Sequence, residues 1–374
     1  MRVFFYQRST HRKRQQETVE HCPSGIEVLR PDNITFVKDT VLSVRKRDKK
    51  LNLKSKIARF VPLNMHKMPN IANQADYIYT WGCIPRGTKK PYVLEMDNPY
   101  CICYYNMFWF NKLKYILRRL LLSRRLQHIV CISEACRKSI EAEFGEKVAS
   151  KVRVVYPYIE KHRRDISKTH KNVEFLFVST QFYLKGGRET VEAFKIIYEN
   201  CRNVHLTVVT HVAEVPDEYK NFPFVQFVEA NLNKEVLHCT YFSRADVFIL
   251  PSYQDSFGMV YLEALSFGLP IIATNMYAIP EMVINGVNGI LVDSPVNYFL
   301  DNYKINPRYV DGIIINDIMK NGIYEHTVEE LVVAINCLLD ENCRDRMSKA
   351  SEDLFEQKFD KNVRDQSFKE VFFG

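Results

Sequence analysis

Long hydrophobic runs are absent from this 374-residue sequence. No apolar stretch reaches the roughly 18 residues that a helix needs to cross a bilayer. Residues 1–6 form a short apolar burst, and a basic run at residues 11–14 follows it, which reverses the order found in a signal peptide. We therefore expect residues 2–6 to form the buried first strand of a mature cytoplasmic protein.

Cysteine pairs at metal-binding spacing are also absent. The sequence has ten cysteines and no C-x-x-C, and its closest pair is Cys101 and Cys103. This pattern excludes the usual zinc spacings and a disulfide framework. Several cysteines lie inside apolar runs: Cys131, Cys201, Cys239 and Cys337. We expect reduced and mostly buried thiols.

The composition is that of an ordinary globular protein, with 46% hydrophobic and 26% charged residues. The net charge of +8 is unevenly spread. Residues 1–165 contain 33 basic and 15 acidic residues (net +18), and residues 166–374 contain 19 and 29 (net −10). Such asymmetry indicates two domains with different partners, the basic one facing an anionic lipid, a phosphorylated acceptor or nucleic acid.

Short strands and helices alternate through both halves of the chain, which predicts an α/β protein with parallel sheets covered by helices on both faces. The predicted strands are 3–6, 26–29, 34–37, 77–80, 92–96, 129–132, 152–155, 175–178, 205–210, 225–228, 247–250, 271–273 and 290–292. The predicted helices are 134–143, with Ser133 as N-cap, 188–200, 234–242, 259–267, 327–339 and 344–359. The charged residues 161–171 read as an inter-domain linker.

The chemistry is concentrated at residues 245–264, ADVFILPSYQDSFGMVYLEA. A buried strand ends at Pro251, a polar loop follows, and a helix begins near Gly258. Ligands of open α/β sheets bind at the carboxyl ends of strands, and a helix N-terminus attracts phosphate. Asp255 and Glu263 frame the loop and the first turns of the helix, and a carboxylate at such a position can accept both hydroxyls of a ribose.

Three further motifs follow in order: GLPIIAT at 268–274, IPEMV at 279–283 and GVNGILV at 286–292. Together with the preceding loop, this series resembles the C-terminal domain of the retaining glycosyltransferases of GT-B fold, the large family 4 group. The close resemblance covers residues 175–292. It implies GT-B architecture, with two Rossmann-like domains facing across a cleft.

The resemblance implies three regions: an acceptor-side domain at residues 1–165, a nucleotide-sugar-binding domain at 166–340, and helices at 341–374 that pack back on the first domain. It also implies roles for single residues. Glu263 would bind the ribose, and Asp255 a hydroxyl of the transferred sugar. The N–H groups of Ser256, Phe257 and Gly258 would meet the sugar or the phosphates. Asp255 replaces the usual glutamate of the family and is one methylene shorter.

Lys185 and Gly186 follow the strand predicted at 175–178. Lys185 resembles the family lysine that contacts the donor diphosphate, where a fixed ammonium stabilises the departing nucleoside diphosphate without a metal ion. Thr180 occupies the position at which the family commonly has an arginine, and we place it with Gly186 among the donor-binding residues. The sequence contains no Asp-x-Asp for holding a divalent ion. We expect neither a metal site nor a cofactor.

In the first half, Asp97 ends a predicted strand at the position where the family often has a histidine near the reacting sugar. It either orients the acceptor and stabilises positive charge at the sugar carbon, or caps a turn. Residues 7–10, after the first strand, read QRST in place of the glycine-rich loop that is frequent in the family.

Residues 106–126 contain six basic residues, no acidic residue, and aromatic residues near one end. This composition is typical of a basic amphipathic helix on an anionic membrane surface, or of an ordinary surface helix. Nothing resembles a nucleic-acid recognition fold.

We therefore expect a retaining, metal-independent enzyme that moves a sugar from a nucleotide-sugar donor to a glycan or lipid-linked acceptor, in the cytoplasm or on the cytoplasmic face of a membrane. The alternatives are a nucleotide-sugar epimerase on the same fold, and a non-catalytic, degenerate transferase that acts as a binding subunit.

Overall fold

The computed structural model describes residues 1–6, 13–30, 62–164, 171–312, 317–318 and 321–374. Three sequence-based expectations fall outside these residues: the loop at 7–10, the strand at 34–37, and most of the linker, 165–170, with the domain boundary placed there.

The first half of the chain builds a parallel sheet. Its strands are β1 Arg2–Phe5, β2 Glu27–Leu29, β3 Met65–Lys67, β4 Tyr77–Trp81, β5 Ile84–Arg86, β6 Tyr92–Met96, β7 Leu126–Cys131 and β8 Val152–Val154. Six of them form one sheet in the order β2-β1-β4-β6-β7-β8, and every pairing in it is parallel. The order reverses between β1 and β4, which opens a crevice at their carboxyl ends.

The second half repeats this plan. Its strands are β9 Val173–Val178, β10 Val204–Thr210, β11 Val225–Glu229, β12 Val247–Leu250, β13 Ile271–Thr274 and β14 Gly289–Val292. They form a second parallel sheet in the order β11-β10-β9-β12-β13-β14. The reversal lies between β9 and β12, so the loops after these two strands flank the crevice where an open sheet binds its ligand.

Helices cover both sheets. Their bounds are α1 Lys13–Glu20, α2 Met107–Leu121, α3 Glu134–Phe144, α4 Glu146–Ala149, α5 Gly187–Asn200, α6 Lys234–Val236, α7 Met259–Ser266, α8 Glu325–Leu339, α9 Glu341–Leu354 and α10 Lys361–Phe373. Ser133 caps α3 as expected, because its Oγ accepts from the Cys136 N–H at 3.0 Å. Within the described ranges, no helix is long and apolar enough to cross a bilayer.

The last two helices pack on different halves of the molecule. In α9, Ser348 and Ser351 donate to the carbonyl oxygens of Gly268 and Leu269, at the end of α7. In α10, Phe368, Val371 and Phe372 share a buried cluster with β1 and β4 residues of the first sheet. The chain therefore crosses back to the first sheet at its end.

The α/β prediction with two parallel sheets is confirmed. The short pair β3 and β5 was missed because Met65–Lys67 and Ile84–Arg86 are three residues each and lack a β-branched run. The helix predicted at 234–242 is α6 followed by a π-helical segment, Leu237–Tyr241.

The expectation of mostly buried cysteines is wrong for several of them. Cys239 and Cys337 are exposed, and Cys201 is half-buried. The apolar run around Cys337 belongs to α8, whose buried positions include Leu331, Ile335 and Leu338. Cys337 lies outside this buried face of α8, and only one face of an amphipathic helix is buried.

Candidate active site

The loop after β12 turns sharply into α7. Gly258 is the N-cap of this helix and has a φ of +82°. A Cβ at this position would lie 2.3 Å from a ring carbon of Tyr261. Burial raises the pKa of Tyr261, so its hydroxyl stays protonated and donates to the Leu250 carbonyl at 2.7 Å. Glycine is required here because any side chain would collide with the ring that fastens the helix to the strand.

The loop after β9 also lies close to the carboxyl end of β12. Gly186, with a φ of +70°, is the N-cap of α5, and a Cβ there would lie 2.5 Å from the Pro251 carbonyl oxygen. This close approach places Lys185, in the preceding turn, against the residues that follow β12. Thr180 lies half-buried where β9 ends. The two loops that the sequence assigned to the donor therefore meet at the topological switch point.

Lys185 is the centre of this meeting point. Its ammonium donates to Ser252 Oγ at 3.0 Å, to the Gln254 carbonyl at 2.5 Å and to Asp255 Oδ2 at 2.8 Å. The Lys185 and Asp255 side chains are 12% and 18% exposed, so the pair lies in a cleft and stays within reach of a ligand. The structure thus brings together the predicted diphosphate-binding cation and the predicted sugar-binding carboxylate.

Glu263 lies in the second turn of α7, where its side chain is 13% exposed. Its Oε1 atom is 3.7 Å from Nε2 of the buried His238, a neighbour that the sequence did not suggest. The Phe257 side chain is buried near the Tyr156 ring, so only the backbone of Phe257 can serve a ligand.

Asp97 stands directly after β6, in the other half of the molecule. It accepts from the Tyr105 hydroxyl at 3.0 Å on each carboxylate oxygen, and from the Asn98 N–H at 3.0 Å. Ser256 Oγ donates to Asp97 Oδ2 at 3.1 Å. This contact spans the cleft between the two sheets and places Asp97 beside the predicted donor loop.

A cavity of about 360 Å³ opens beside Asp97 at the carboxyl ends of β4 and β6. Its lining includes Arg14 and Glu95, which form an ion pair at 3.0 Å. Tyr104 and Tyr105 also line it, and both have positive φ values, 53° and 61°. Sequence reasoning missed these four residues, because neither a distant ion pair nor a left-handed tyrosine leaves a local signal.

Glu281, in the IPEMV motif, contacts the opposite half of the molecule. Its carboxylate accepts from the N–H groups of Glu134 and Ala135 at 2.9 and 2.8 Å, which caps α3, and from the Tyr156 hydroxyl at 2.7 Å. A carboxylate at a helix N-terminus is favourable. Glu281 therefore fastens the two halves together, a role that the motif alone did not reveal.

Four residues predicted to contact the donor lie on adjoining loops: Lys185, Asp255, Ser256 and Gly258. Glu263, also predicted to bind the donor, lies on the helix that follows. In the described part of the chain, no group of three or more histidine, cysteine, aspartate or glutamate side chains is placed to hold a metal ion.

Comparison with known families addresses the segment that contains most of these residues. Residues 159–299 match the family described as glycosyl transferases group 1. This match confirms the family resemblance for the segment that includes Lys185, Asp255 and Glu263. The finer assignment to the retaining family 4 group stays a prediction.

Two relatives match over stretches of similar length. A D-inositol 3-phosphate glycosyltransferase of Paenarthrobacter aurescens (strain TC1) is 32% identical over 130 residues, 32% of this chain and 31% of the relative. The capsular polysaccharide biosynthesis glycosyltransferase CapM of Staphylococcus aureus is 30% identical over 112 residues, 29% of this chain and 30% of the relative. The chain thus matches about a third of the length of these curated relatives.

Solved structures match over the whole length. Anabaena Alr3699/HepE in complex with UDP has a TM-score of 0.63 at 14% identity, covering 99% of this chain and 98% of that one. WaaG, a glycosyltransferase involved in lipopolysaccharide biosynthesis, has a TM-score of 0.59 at 13% identity, with both chains fully covered. These similarities establish the shared fold, and the predicted architecture of two Rossmann-like domains is confirmed.

Proposed function

We propose that this protein is a retaining, metal-independent glycosyltransferase that moves a sugar from a nucleotide-sugar donor to a glycan or lipid-linked acceptor. The observation that carries the proposal is the convergence of Lys185, Asp255 and Ser252 where β9 and β12 end. This convergence lies within the segment that matches glycosyl transferases group 1. Switch-point loops of this kind bind nucleotides in open α/β sheets.

On the donor side, Glu263 accepts the ribose hydroxyls and the backbone N–H groups at the start of α7 meet the phosphates. When the bond between the sugar carbon and the diphosphate oxygen breaks, negative charge grows on the leaving nucleoside diphosphate. The Lys185 ammonium is held in the cleft by hydrogen bonds to Ser252, Gln254 and Asp255, and it stabilises this charge by exchanging one of them for a diphosphate oxygen. Asp255 sits beside it and accepts a hydroxyl of the transferred sugar.

On the acceptor side, Asp97 faces the donor loop through Ser256, and the 360 Å³ cavity lies next to it. The carboxylate orients an acceptor hydroxyl and stabilises the positive charge that develops on the sugar carbon. A built acceptor cavity on the far side of the cleft favours transfer over epimerisation, which needs no acceptor.

The names of the similar proteins suggest a starting point for the substrates. CapM is named for capsular polysaccharide biosynthesis, and HepE is described in complexes with UDP and UDP-glucose. We therefore propose an envelope glycan as the acceptor class and test UDP-sugars first. Thermal unfolding of the purified protein, measured with a panel of nucleotide-sugars, tests the donor class. A donor at 100 times its Kd adds ~2.7 kcal/mol to the free energy of unfolding.

The best stabilising donor is then assayed for turnover with and without EDTA. Because a lysine takes the place of a metal ion, we expect equal rates of transfer, or of donor hydrolysis, in both arms. A rate that EDTA abolishes and magnesium restores contradicts the metal-independent mechanism. A protein that binds the donor but neither hydrolyses nor transfers it is the non-catalytic alternative, and release of a free epimerised sugar identifies an epimerase.

We also propose that the protein binds reversibly to an anionic membrane surface, and this proposal rests on α2. Phe108 and Tyr115 in this helix are 67% and 70% exposed, and Lys112 lies over the Phe108 ring at 5.6 Å. Arg119 lies over the Tyr115 ring at 5.7 Å. The outer side of the helix therefore combines exposed aromatic rings with cations, the composition of a helix that lies on an anionic membrane.

Two other cations of α2 make contacts that hold this helix against α3. Lys114 pairs with Glu143, and the Arg118 guanidinium donates to the Phe144 carbonyl at 3.0 Å. Replacing them would loosen the helix from α3. A membrane test must leave both in place and change only the outward residues.

We expect the quadruple variant Phe108→Ser, Lys112→Gln, Tyr115→Ser, Arg119→Gln to lose binding to anionic vesicles and to keep donor binding. Each cation near an anionic surface contributes ~1 kcal/mol, and salt screens this attraction over about 10 Å at 0.1 M. Vesicle cosedimentation at low and high salt measures the loss. Val333→Ser is the matched control, because Val333 is equally exposed on α8 at 70%. If the wild-type protein does not bind anionic vesicles at low salt, the membrane proposal is wrong and α2 is an ordinary surface helix.

A further inference from the structure

A pair of histidines lies behind Glu263. His238, in the π-helical segment after α6, is 4% exposed, and its ring packs against Phe242 and Phe267. His162 stacks on the same Phe267 ring, with the two ring centroids 4.6 Å apart. Both imidazoles are thus packed against Phe267, the residue that follows the last turn of α7.

Hydrogen bonds determine which nitrogen of each ring carries a proton. The Ser266 hydroxyl donates to the Glu263 backbone carbonyl at 2.6 Å, so its oxygen is an acceptor for His162 Nδ1 at 3.2 Å. His162 Nδ1 is therefore protonated, and in a neutral ring its Nε2 is an acceptor. His238 Nδ1 lies 3.2 Å from that Nε2 and must donate to it.

The remaining nitrogen, His238 Nε2, is then a bare acceptor. It is buried and has no hydrogen-bond partner among the described residues. The nearest carboxylate oxygen is Glu263 Oε1 at 3.7 Å, also an acceptor. Two acceptors cannot form a hydrogen bond, so the neutral pair leaves the Glu263 carboxylate free to accept from a ligand. One added proton turns this contact into a charged hydrogen bond.

The groups around the histidine pair shift the pKa of His162 in opposite directions. Burial and the neighbouring His238 lower the pKa of His162, Lys234 lowers it further, and Glu160 raises it. Lys234 is itself paired with Glu17 at 3.3 Å. Glu263 faces His238 and not His162, so a proton on His238 Nε2 would meet the Glu263 carboxylate.

We propose that His238 is a positioning residue for Glu263: its neutral form leaves the carboxylate open to the ribose, and its protonated form occupies it. This inference rests on the proposed role of Glu263 as the ribose acceptor. The ribose must displace the His238 N–H at low pH. Donor affinity is therefore full when the pair is neutral and falls when His238 Nε2 carries a proton.

The test measures the Kd of UDP-glucose by calorimetry between about pH 8 and about pH 5.5, where the diphosphate of this donor does not change charge. The wild type should lose about tenfold or more in affinity at the acidic end, the worth of one hydrogen bond to a charged group. His238→Asn keeps a donor toward His162 and has no group at the Nε2 position, so its affinity should be nearly independent of pH.

Two more variants sharpen the test. His238→Gln places a permanent N–H toward Glu263 and should bind weakly at every pH, at the acidic level of the wild type. His326→Asn is the matched control, because His326 is 76% exposed beside Glu329 and should retain the wild-type profile. Identical pH profiles for the wild type and His238→Asn, or a wild-type affinity that rises as the pH falls, overturn the proposal.

The ligand-free protein provides a reading that does not depend on the donor. Nitrogen-15 spectra of the neutral histidine rings should show both His162 and His238 in the Nδ1–H form. The Glu263→Gln variant should shift the His238 Nε2 resonance selectively. An Nε2–H form of His238 contradicts the inference even if UDP-glucose binds. Failure of UDP-glucose to bind, with both rings in the Nδ1–H form, contradicts the choice of donor and leaves the histidine arrangement confirmed.

Discussion

Lys185→Ala is expected to lower kcat by about a hundredfold or more and to raise the Kd of the donor much less. Removal of one preorganised group that stabilises developing charge typically costs ~100-fold to 1,000-fold in turnover. The ammonium gains most when the diphosphate leaves, so the loss appears in the transition state and less in the ground state. Single-turnover kinetics and donor calorimetry together measure the two effects.

The structure also provides the control for this variant. Lys185 holds Asp255, Ser252 and the Gln254 carbonyl, so its loss can disturb the loop after β12. Thermal unfolding distinguishes a disturbed loop from a lost charge. Lys195→Ala is the matched variant, because Lys195 lies on the adjoining helix with half of its side chain exposed and should have wild-type activity. An unchanged kcat in the Lys185→Ala variant would show that Lys185 takes no part in catalysis.

Glu263→Ala is expected to raise the Kd of the donor about tenfold or more. Each hydrogen bond from a ribose hydroxyl to the carboxylate is worth ~1.5–3 kcal/mol, and about 1.4 kcal/mol corresponds to a factor of ten. Glu263→Gln keeps one acceptor oxygen and should fall between the wild type and the alanine variant. Calorimetry with the nucleotide-sugar and with the matching nucleoside diphosphate measures the change.

The two ligands distinguish a ribose contact from a sugar contact. Both carry the ribose, so the loss should be equal for both. An alanine variant that binds the nucleoside diphosphate normally and the nucleotide-sugar weakly would move Glu263 to the transferred sugar. Glu329→Ala is the control, since Glu329 is 78% exposed on α8, outside the site.

Much of the site that we propose for the donor could be predicted because its residues lie on loops that immediately follow strands. The period and the buried character of Val247–Leu250 predict a strand, and Pro251 and Gly258 mark the loop and the helix start. Asp255 and Glu263 then follow within one strand-loop-helix unit. Lys185 lies on the other loop at the switch point, and parallel strands place both loops at one edge.

The contacts that Asp97 and Glu281 make with distant parts of the chain could not be predicted in this way. The contact between Asp97 and Ser256 joins residues 159 positions apart, and the Glu281 cap on α3 joins residues 146 and 147 positions apart. Neither contact has a local pattern. Tyr104 and Tyr105 adopt left-handed backbone conformations that tyrosine rarely adopts, so the sequence gives no reason to expect them beside Asp97.

The sequence by itself determined the parallel α/β plan, the order of the motifs and the loops that bear Lys185, Asp255 and Gly258. Hydrophobic periodicity and turn residues act over a few positions, and these features need no more than that. Only the tertiary structure decided that Lys185 pairs with Asp255, that Asp97 reaches the donor loop, and that His238 stands behind Glu263. Such contacts depend on how distant elements pack together, and packing depends on side chains from the whole chain at once.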